Sequence, residues 1–147
     1  MLCQTALAQS TIEGKAVRIL DGDTFEMLLA NYSKVKIRLT DIDAPEKKQD
    51  FGNVSKQYLA SLIFDKNVKV VYDKLDRNKR ILGHVYIQKM YVNLKMVQQG
   101  LAWHYKKYSS EKLFSDAEIL AKRSKKGLWI QPNAMPPWLF RANARNR

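Results

Sequence analysis

The stretch Gly14-Lys15-Ala16-Val17-Arg18-Ile19-Leu20-Asp21-Gly22-Asp23-Thr24-Phe25-Glu26-Met27-Leu28-Leu29, followed after Ala30 by Asn31-Tyr32-Ser33-Lys34 and Val35-Lys36-Ile37-Arg38-Leu39-Thr40, decides the fold. Ala16 to Leu20, Thr24 to Leu29 and Val35 to Thr40 are short and β-rich, and the last alternates apolar with polar residues. That alternation is the period of a strand with one face buried. Asp21-Gly22-Asp23 and Asn31-Tyr32-Ser33-Lys34 carry turn residues between the runs. Three strands in an antiparallel meander are predicted.

Downstream of Pro45 comes a polar loop, and then Val54, Tyr58, Leu59, Leu62 and Ile63 recur at helical spacing up to Asn67. This predicts an amphipathic helix docked on the sheet. Val68 to Tyr72 and Ile81 to Ile87 raise the strand count to five, with the polar run Asp73 to Arg80 between them. Asn93 is placed to cap a short helix ending at Gly100. Ser115-Asp116-Ala117-Glu118 has the form of a capping box opening a third helix, ended by Lys125-Lys126-Gly127, with Leu113, Ala117, Leu120 and Ala121 facing inward. The order βββ-α-ββ-α-α predicts a mainly β fold with helices (α+β): a five-stranded OB-fold Greek-key barrel packed with three α-helices. Residues 14–131 form this domain. Residues 1–13 read as a flexible N-terminus or signal-peptide remnant, and residues 132–147, with Pro136-Pro137 and three arginines, as an extended or partly disordered basic arm.

The chain has 147 residues, a net charge of +12 and a pI near 9.8. At 46% hydrophobic and 27% charged residues it can build a core, which excludes a wholly disordered basic tail. No apolar run approaches the roughly 20 residues of a membrane span, so membrane insertion is excluded. A strongly basic domain of this kind suits a polyanionic partner. Cys3 is the only cysteine, so a disulfide scaffold is excluded too. Ala6-Leu7-Ala8 before Gln9 fits an A-x-A cleavage site but is too short to be a whole signal. Two readings stay open there: the end of a secretory signal, implying a secreted or periplasmic protein, or an ordinary frayed terminus.

The sequence contains no G-x-S-x-G nucleophile elbow, and His84 and His104 have no zinc-like spacing with other ligands. Carboxylates and arginines at turns are more informative. Asp21 and Asp23 sit at a strand junction, and Arg38 precedes Asp41, Asp43 and Glu46 at the exit of the third strand. Two Asp from adjacent loops supply the anionic half of a hard divalent-cation site and leave positions for water and a phosphate oxygen.

Asp21-Gly22-Asp23-Thr24, Arg38-Leu39-x-x-Ile42-Asp43-Ala44-Pro45-Glu46, Asp76-Arg77-x-x-Arg80, Val92-Asn93 with Gly100-Leu101-Ala102, and Gly127-Leu128-Trp129 occur in that order. This colinear run, from Gly14 to Trp129, resembles the signature of the staphylococcal nuclease-like (thermonuclease) family. The resemblance implies a calcium-dependent, sugar-nonspecific nuclease that hydrolyses phosphodiester bonds of DNA and RNA. By the same resemblance Asp23 and Asp43 would be the Ca2+ carboxylates and Ala44, where members often carry Thr, a main-chain carbonyl ligand. Arg38 and Arg80 would clamp the scissile phosphate and Glu46 would stand beside the attacking water. Planar guanidinium groups suit a phosphorus centre that accumulates charge, because each binds two oxygens at once.

Many members have Asp-Arg-Tyr-Gly-Arg where this chain has Asn78-Lys79 in the middle, so an aromatic residue that would seat a nucleotide is absent. Tyr105 and Tyr108, interleaved with Lys106 and Lys107, fall where the family borders its nucleotide pocket, and with Arg77 they are the candidate nucleic-acid contacts. Aromatics among lysines suit stacking on unpaired bases, so single-stranded substrate is expected to be preferred, by a monomer. Basic patches predict binding that weakens steeply with salt. The alternative is a catalytically inactive OB-fold module that binds nucleic acid or protein; such relatives generally lack several catalytic positions, whereas Asp23, Arg38, Asp43, Glu46 and Arg80 are all present here.

Overall fold

The computed structural model describes residues 8–146. Its strands are β1 (Ser10–Asp21), β2 (Thr24–Leu28), β3 (Lys34–Leu39), β4 (Ile42–Asp43), β5 (Asn67–Tyr72), β6 (Ile81–Ile87), β7 (Met90–Tyr91) and β8 (Trp103–His104). Its helices are α1 (Gly52–Ile63), α2 (Val92–Gln98), α3 (Lys112–Arg123) and α4 (Pro137–Arg145), with a 3-10 turn at Gly127–Ile130.

The first half of β1 pairs antiparallel with β5, from Ser10 opposite Tyr72 to Lys15 opposite Asn67, and its second half pairs with β2. Register shifts between Ala16 and Arg18 and between Ile19 and Asp21 bend the strand so that it can serve both neighbours. The sheet order β3-β2-β1-β5-β6 closes on itself through a parallel β3–β6 pairing, with Arg38 opposite Leu82. This closed five-stranded barrel bears out the OB-type α+β architecture and leaves no open edge between β3 and β6. Phe25, Met27, Ile37, Leu39, Val70 and Val85 fill it, and Leu59 and Ile63 of α1, Val92, Met96 and Val97 of α2 and Phe114 and Ala117 of α3 extend the core.

Several local expectations change. β1 begins at Ser10, inside the segment expected to be flexible, because Ser10 to Glu13 pair with β5 in spite of their polarity. The part of that segment covering residues 1–7, including Cys3 and the A-x-A triplet, lies outside the described residues. Asn93 is no cap: it lies within α2, and its buried amide accepts the Val85 N–H (2.9 Å) and donates to the carbonyls of Thr40 (3.0 Å) and Gly83 (2.9 Å). α3 starts at Lys112, so Ser115 and Glu118 are interior residues and not a capping box. Phe114, Ala117, Glu118 and Ala121 face inward, while Leu113 and Leu120 are exposed. The expected extended arm contains a fourth helix, opened by Pro137 at its first turn.

Candidate active site

At the β1–β2 turn, a Cβ on Gly22 would lie 2.6 Å from the Ser55 Cβ and 2.8 Å from the Ala44 Cβ, so glycine lets this turn press against α1 and the end of β4. The close approach seats Asp23. Its Oδ2 accepts the Ala44 N–H at 2.7 Å, and its Oδ1 accepts the Thr24 hydroxyl at 3.0 Å. The β2–β3 register sets Thr24 opposite Arg38, and the Leu39 N–H donates to the Asp23 carbonyl at 2.8 Å.

Arg38 therefore projects onto the acids. Its side chain is 14% exposed, and its Nη2 lies 3.3 Å from Asp23 Oδ2 and 3.2 Å from Asp43 Oδ1. Its Nη1 donates to the carbonyls of Leu39 and, at 2.8 Å, Ile42. Asp43 is fixed from the other side by the β4–β8 pairing, in which it lies opposite Trp103. β8 is anchored in turn by buried Glu118, which accepts the His104 N–H at 2.7 Å and pairs with Lys106 (2.7 Å) and Lys122 (3.2 Å).

The site crowds negative charge in a desolvated corner. Burial, reinforced by the charge of Asp23, pushes the Asp43 carboxyl up to about 6, against the pull of Arg141 and Arg38. Burial and the neighbouring Asp23 raise Asp21 to about 7, although its Oδ1 accepts the Asp23 N–H at 3.0 Å. Asp21 thus belongs to this acidic corner as well, a role that turn formation alone does not explain.

Arg38, Asp23, Asp43 and Ala44 are brought into direct contact, and Glu46 joins them through Arg141. Arg80 enters β6 two residues before Leu82, the partner of Arg38, but its Nε is held by Asp76 at 2.8 Å. Arg77 is exposed. Tyr105 stacks on Tyr108 with ring centroids 4.9 Å apart, and its hydroxyl reaches Arg141 at 3.4 Å; Tyr108 is exposed with Lys107 beside its ring. Of the two tyrosines, Tyr105 is thus the one in touch with the acidic corner. Lys106, expected to face nucleic acid, is the Glu118 partner described above.

The residue that sequence reasoning missed is Arg141 of α4. Its Nη2 and Nη1 lie 2.7 Å and 3.2 Å from the two oxygens of Asp43, and its Nη1 lies 2.6 Å from Glu46 Oε1. The available signal was Pro137 followed by Trp138-Leu139-Phe140, a proline-started apolar turn within a stretch that otherwise reads as polar and basic.

Comparison with known proteins decides the family. The staphylococcal nuclease homologue family matches residues 36–131, a span that takes in Arg38, Asp43, Ala44, Glu46 and Arg80. The chain belongs to the staphylococcal nuclease-like family. It is 44% identical over 131 residues to an uncharacterized endonuclease of Escherichia coli, covering 88% of this chain and 85% of that protein. A micrococcal nuclease of Shigella flexneri is 40% identical over 150 residues, covering 95% and 86%, and an uncharacterized endonuclease of Haemophilus influenzae 42% over 127 residues, covering 86% and 71%. Members of this nuclease family cleave phosphodiester bonds, and no helix among the described residues is long and apolar enough to cross a membrane.

Proposed function

We propose that the protein is a calcium-dependent nuclease that hydrolyses phosphodiester bonds of both DNA and RNA. The observation that carries this is the convergence of Asp23 and Asp43 on one guanidinium nitrogen of Arg38, at 3.3 and 3.2 Å, with Glu46 in the following loop. Hard carboxylate oxygens in a desolvated corner are the donors that Ca2+ takes. Two carboxylates are too few for a closed cage, so the donor set suits an open site completed by the Ala44 carbonyl, water and phosphate oxygens.

In this reading Asp23 and Asp43 hold the cation, which when bound neutralises a non-bridging phosphate oxygen and lowers the cost of activating water. Arg38, already anchored by two backbone carbonyls, presents its planar fork to the phosphate. Arg80 leaves Asp76 to bind the phosphate from the β6 side. Glu46 orients the attacking water and takes its proton. Tyr105 and Tyr108, already stacked on each other, offer a ring face to an unpaired base, which supports a preference for single strands; a monomer is part of the proposal. Arg77 and Lys107 add attraction to the backbone. Export to a periplasm or exterior is part of the proposal, supported by Ala6-Leu7-Ala8 and by the absence of any cysteine after Cys3.

Incubating single-stranded DNA and RNA with the purified protein, in calcium and again in a chelator, tests the reading. Degradation of both in calcium and of neither in chelator is expected. Activity that survives chelation would overturn the metal mechanism, and none under either condition would favour a binding module. Mass analysis of the protein from its native host tests export, since an intact Met1 contradicts cleavage.

A further inference from the structure

Arg141 takes both oxygens of Asp43 and one of Glu46, and its remaining side-chain hydrogen bond among the described residues is to the Tyr105 hydroxyl. We propose that α4 is an autoinhibitory strap: Arg141 fills the place of the cation between Asp43 and Glu46, and a divalent cation must displace it before the acids can work. The proposal rests on the reading of Asp43 as a metal-holding carboxylate.

Three observations carry it. The first is occupancy. Ca2+ binds carboxylate oxygens at about 2.4 Å. With Arg141 Nη2 at 2.7 Å from Asp43 Oδ2, a cation on that same oxygen would stand no more than about 5 Å from the guanidinium, as two lengths sharing one oxygen require. Like charges so close repel, and both claim the same Asp43 oxygen, so the cation and Arg141 compete for it.

The second observation is the contrast with Arg38. Arg38 belongs to the barrel wall and is tied to the carbonyls of Leu39 and Ile42, so it stays when the acids change partner. Arg141 donates to no backbone acceptor among the described residues; only the two acids and one hydroxyl hold it. A guanidinium kept in place by the groups a cation would claim is released when the cation claims them.

The third is the light seat of α4. Pro137 is its only buried residue, and Trp138 meets Trp103 and Tyr105 edge-on, at 5.5 and 5.4 Å. A cavity of about 330 Å³, lined by Pro45, Gln49, Trp103, Met135 and Phe140 among others, remains between the helix approach and the loop that carries Glu46. A segment with few buried contacts opens at small free-energy cost. The strap thus keeps the desolvated acids paired in the empty enzyme and yields to the cation.

Calcium affinity, measured by calorimetry on the full chain, tests the strap. Arg141→Ala is expected to bind Ca2+ roughly tenfold more tightly than the wild type, because no competing conformer must first be vacated. Arg145→Ala removes the same charge from the same helix without touching Asp43, and is expected to leave the affinity within twofold. In the wild type, calcium is expected to speed tryptic cleavage after Arg141 and Arg145 and to change the fluorescence of the Trp103–Trp138 pair. Equal affinities for Arg141→Ala and wild type, or calcium protecting α4 from trypsin, would overturn the strap while leaving the calcium reading intact. Failure of both proteins to bind calcium would overturn the calcium reading itself, and the strap with it.

Discussion

Arg38 Nη2 lies 3.2 Å from Asp43 Oδ1, and both side chains are nearly shut off from solvent. A phosphate clamp that faced only substrate could be removed without consequence for the fold. This arginine also neutralises Asp23 and tethers the chain where it leaves β3. Arg38→Ala strands the buried Asp23 carboxylate and leaves Asp43 to Arg141 alone, which costs about 3 kcal/mol in the metal-free protein. Calcium is expected to restore more stability to the variant than it adds to the wild type, since it supplies the missing positive charge. Urea unfolding with and without calcium measures both effects. An unchanged metal-free midpoint would mean that Arg38 has no structural role.

Arg80 gives the opposite expectation. Its side chain is 30% exposed, and its ion-pair partner among the described residues is Asp76 in the same loop, while the backbone N–H of Arg80 keeps its own bond to Asp76 Oδ1 whatever the side chain. Arg80→Ala should cost less than about 0.5 kcal/mol in stability. Turnover should fall by about two to three powers of ten, as for loss of one preorganised donor at a developing charge. Steady-state kinetics beside thermal unfolding separate the two, and a variant of near-normal turnover would remove Arg80 from the reaction.

What was legible in the sequence was local or carried by residue type. Period-two alternation gave β3, a short β-rich run gave β2, and Asp21-Gly22-Asp23 gave the turn, because strand faces and turn residues are decided within a few positions. Asp23, Arg38 and Asp43 stood out as charges gathered at turns and at a strand exit. Arg141 was not legible, since it meets Asp43 across 98 residues of chain and only tertiary packing brings them together. Asn93 and Glu118 were misread for a related reason. The same letters that cap a helix locally can, when buried, satisfy a distant backbone group, and the sequence pattern does not distinguish the two uses.

Asn93 is such a case with a measurable consequence. Its amide spans β6 and the end of β3, serving the N–H of Val85 and the carbonyls of Thr40 and Gly83. Asn93→Leu fills much the same space but leaves the buried Val85 N–H without its partner, and should cost about 3 kcal/mol. Because the barrel closes between β3 and β6, hydrogen exchange at Val85 and across that seam should accelerate more than exchange within the β1–β2 pair. Uniform acceleration would show that the amide serves stability without guarding the seam.

Glu118 supplies a pH test. Burial pushes its carboxyl up, but the Lys106 ammonium, the His104 N–H and Lys122 outweigh this and hold it below the ordinary 4.5. A carboxylate with a lowered folded value contributes stability that is complete above its unfolded value and is lost as pH falls through the folded one. Glu118→Gln keeps an acceptor for His104 and loses both ion pairs, but the lysines it leaves are largely solvated, so it should be less stable than wild type by about 1.5 kcal/mol at pH 7. That gap should narrow as pH falls below 4.5. Other groups titrate too: His104 is held below 6.5, first by burial, and loses stability as pH falls, while the raised Asp21 and Asp43 gain it. The contributions of Asp21 and Asp43 are common to both proteins and cancel in the difference. The Glu118 charge itself raises His104, so Glu118→Gln lowers it further, and the gap should first widen as pH falls through 6.5 before it narrows below 4.5. Urea unfolding of the pair from pH 7 to pH 3 measures it, and a gap that stayed constant over that range would show that the charge of Glu118 is not what anchors β8, and through it Asp43.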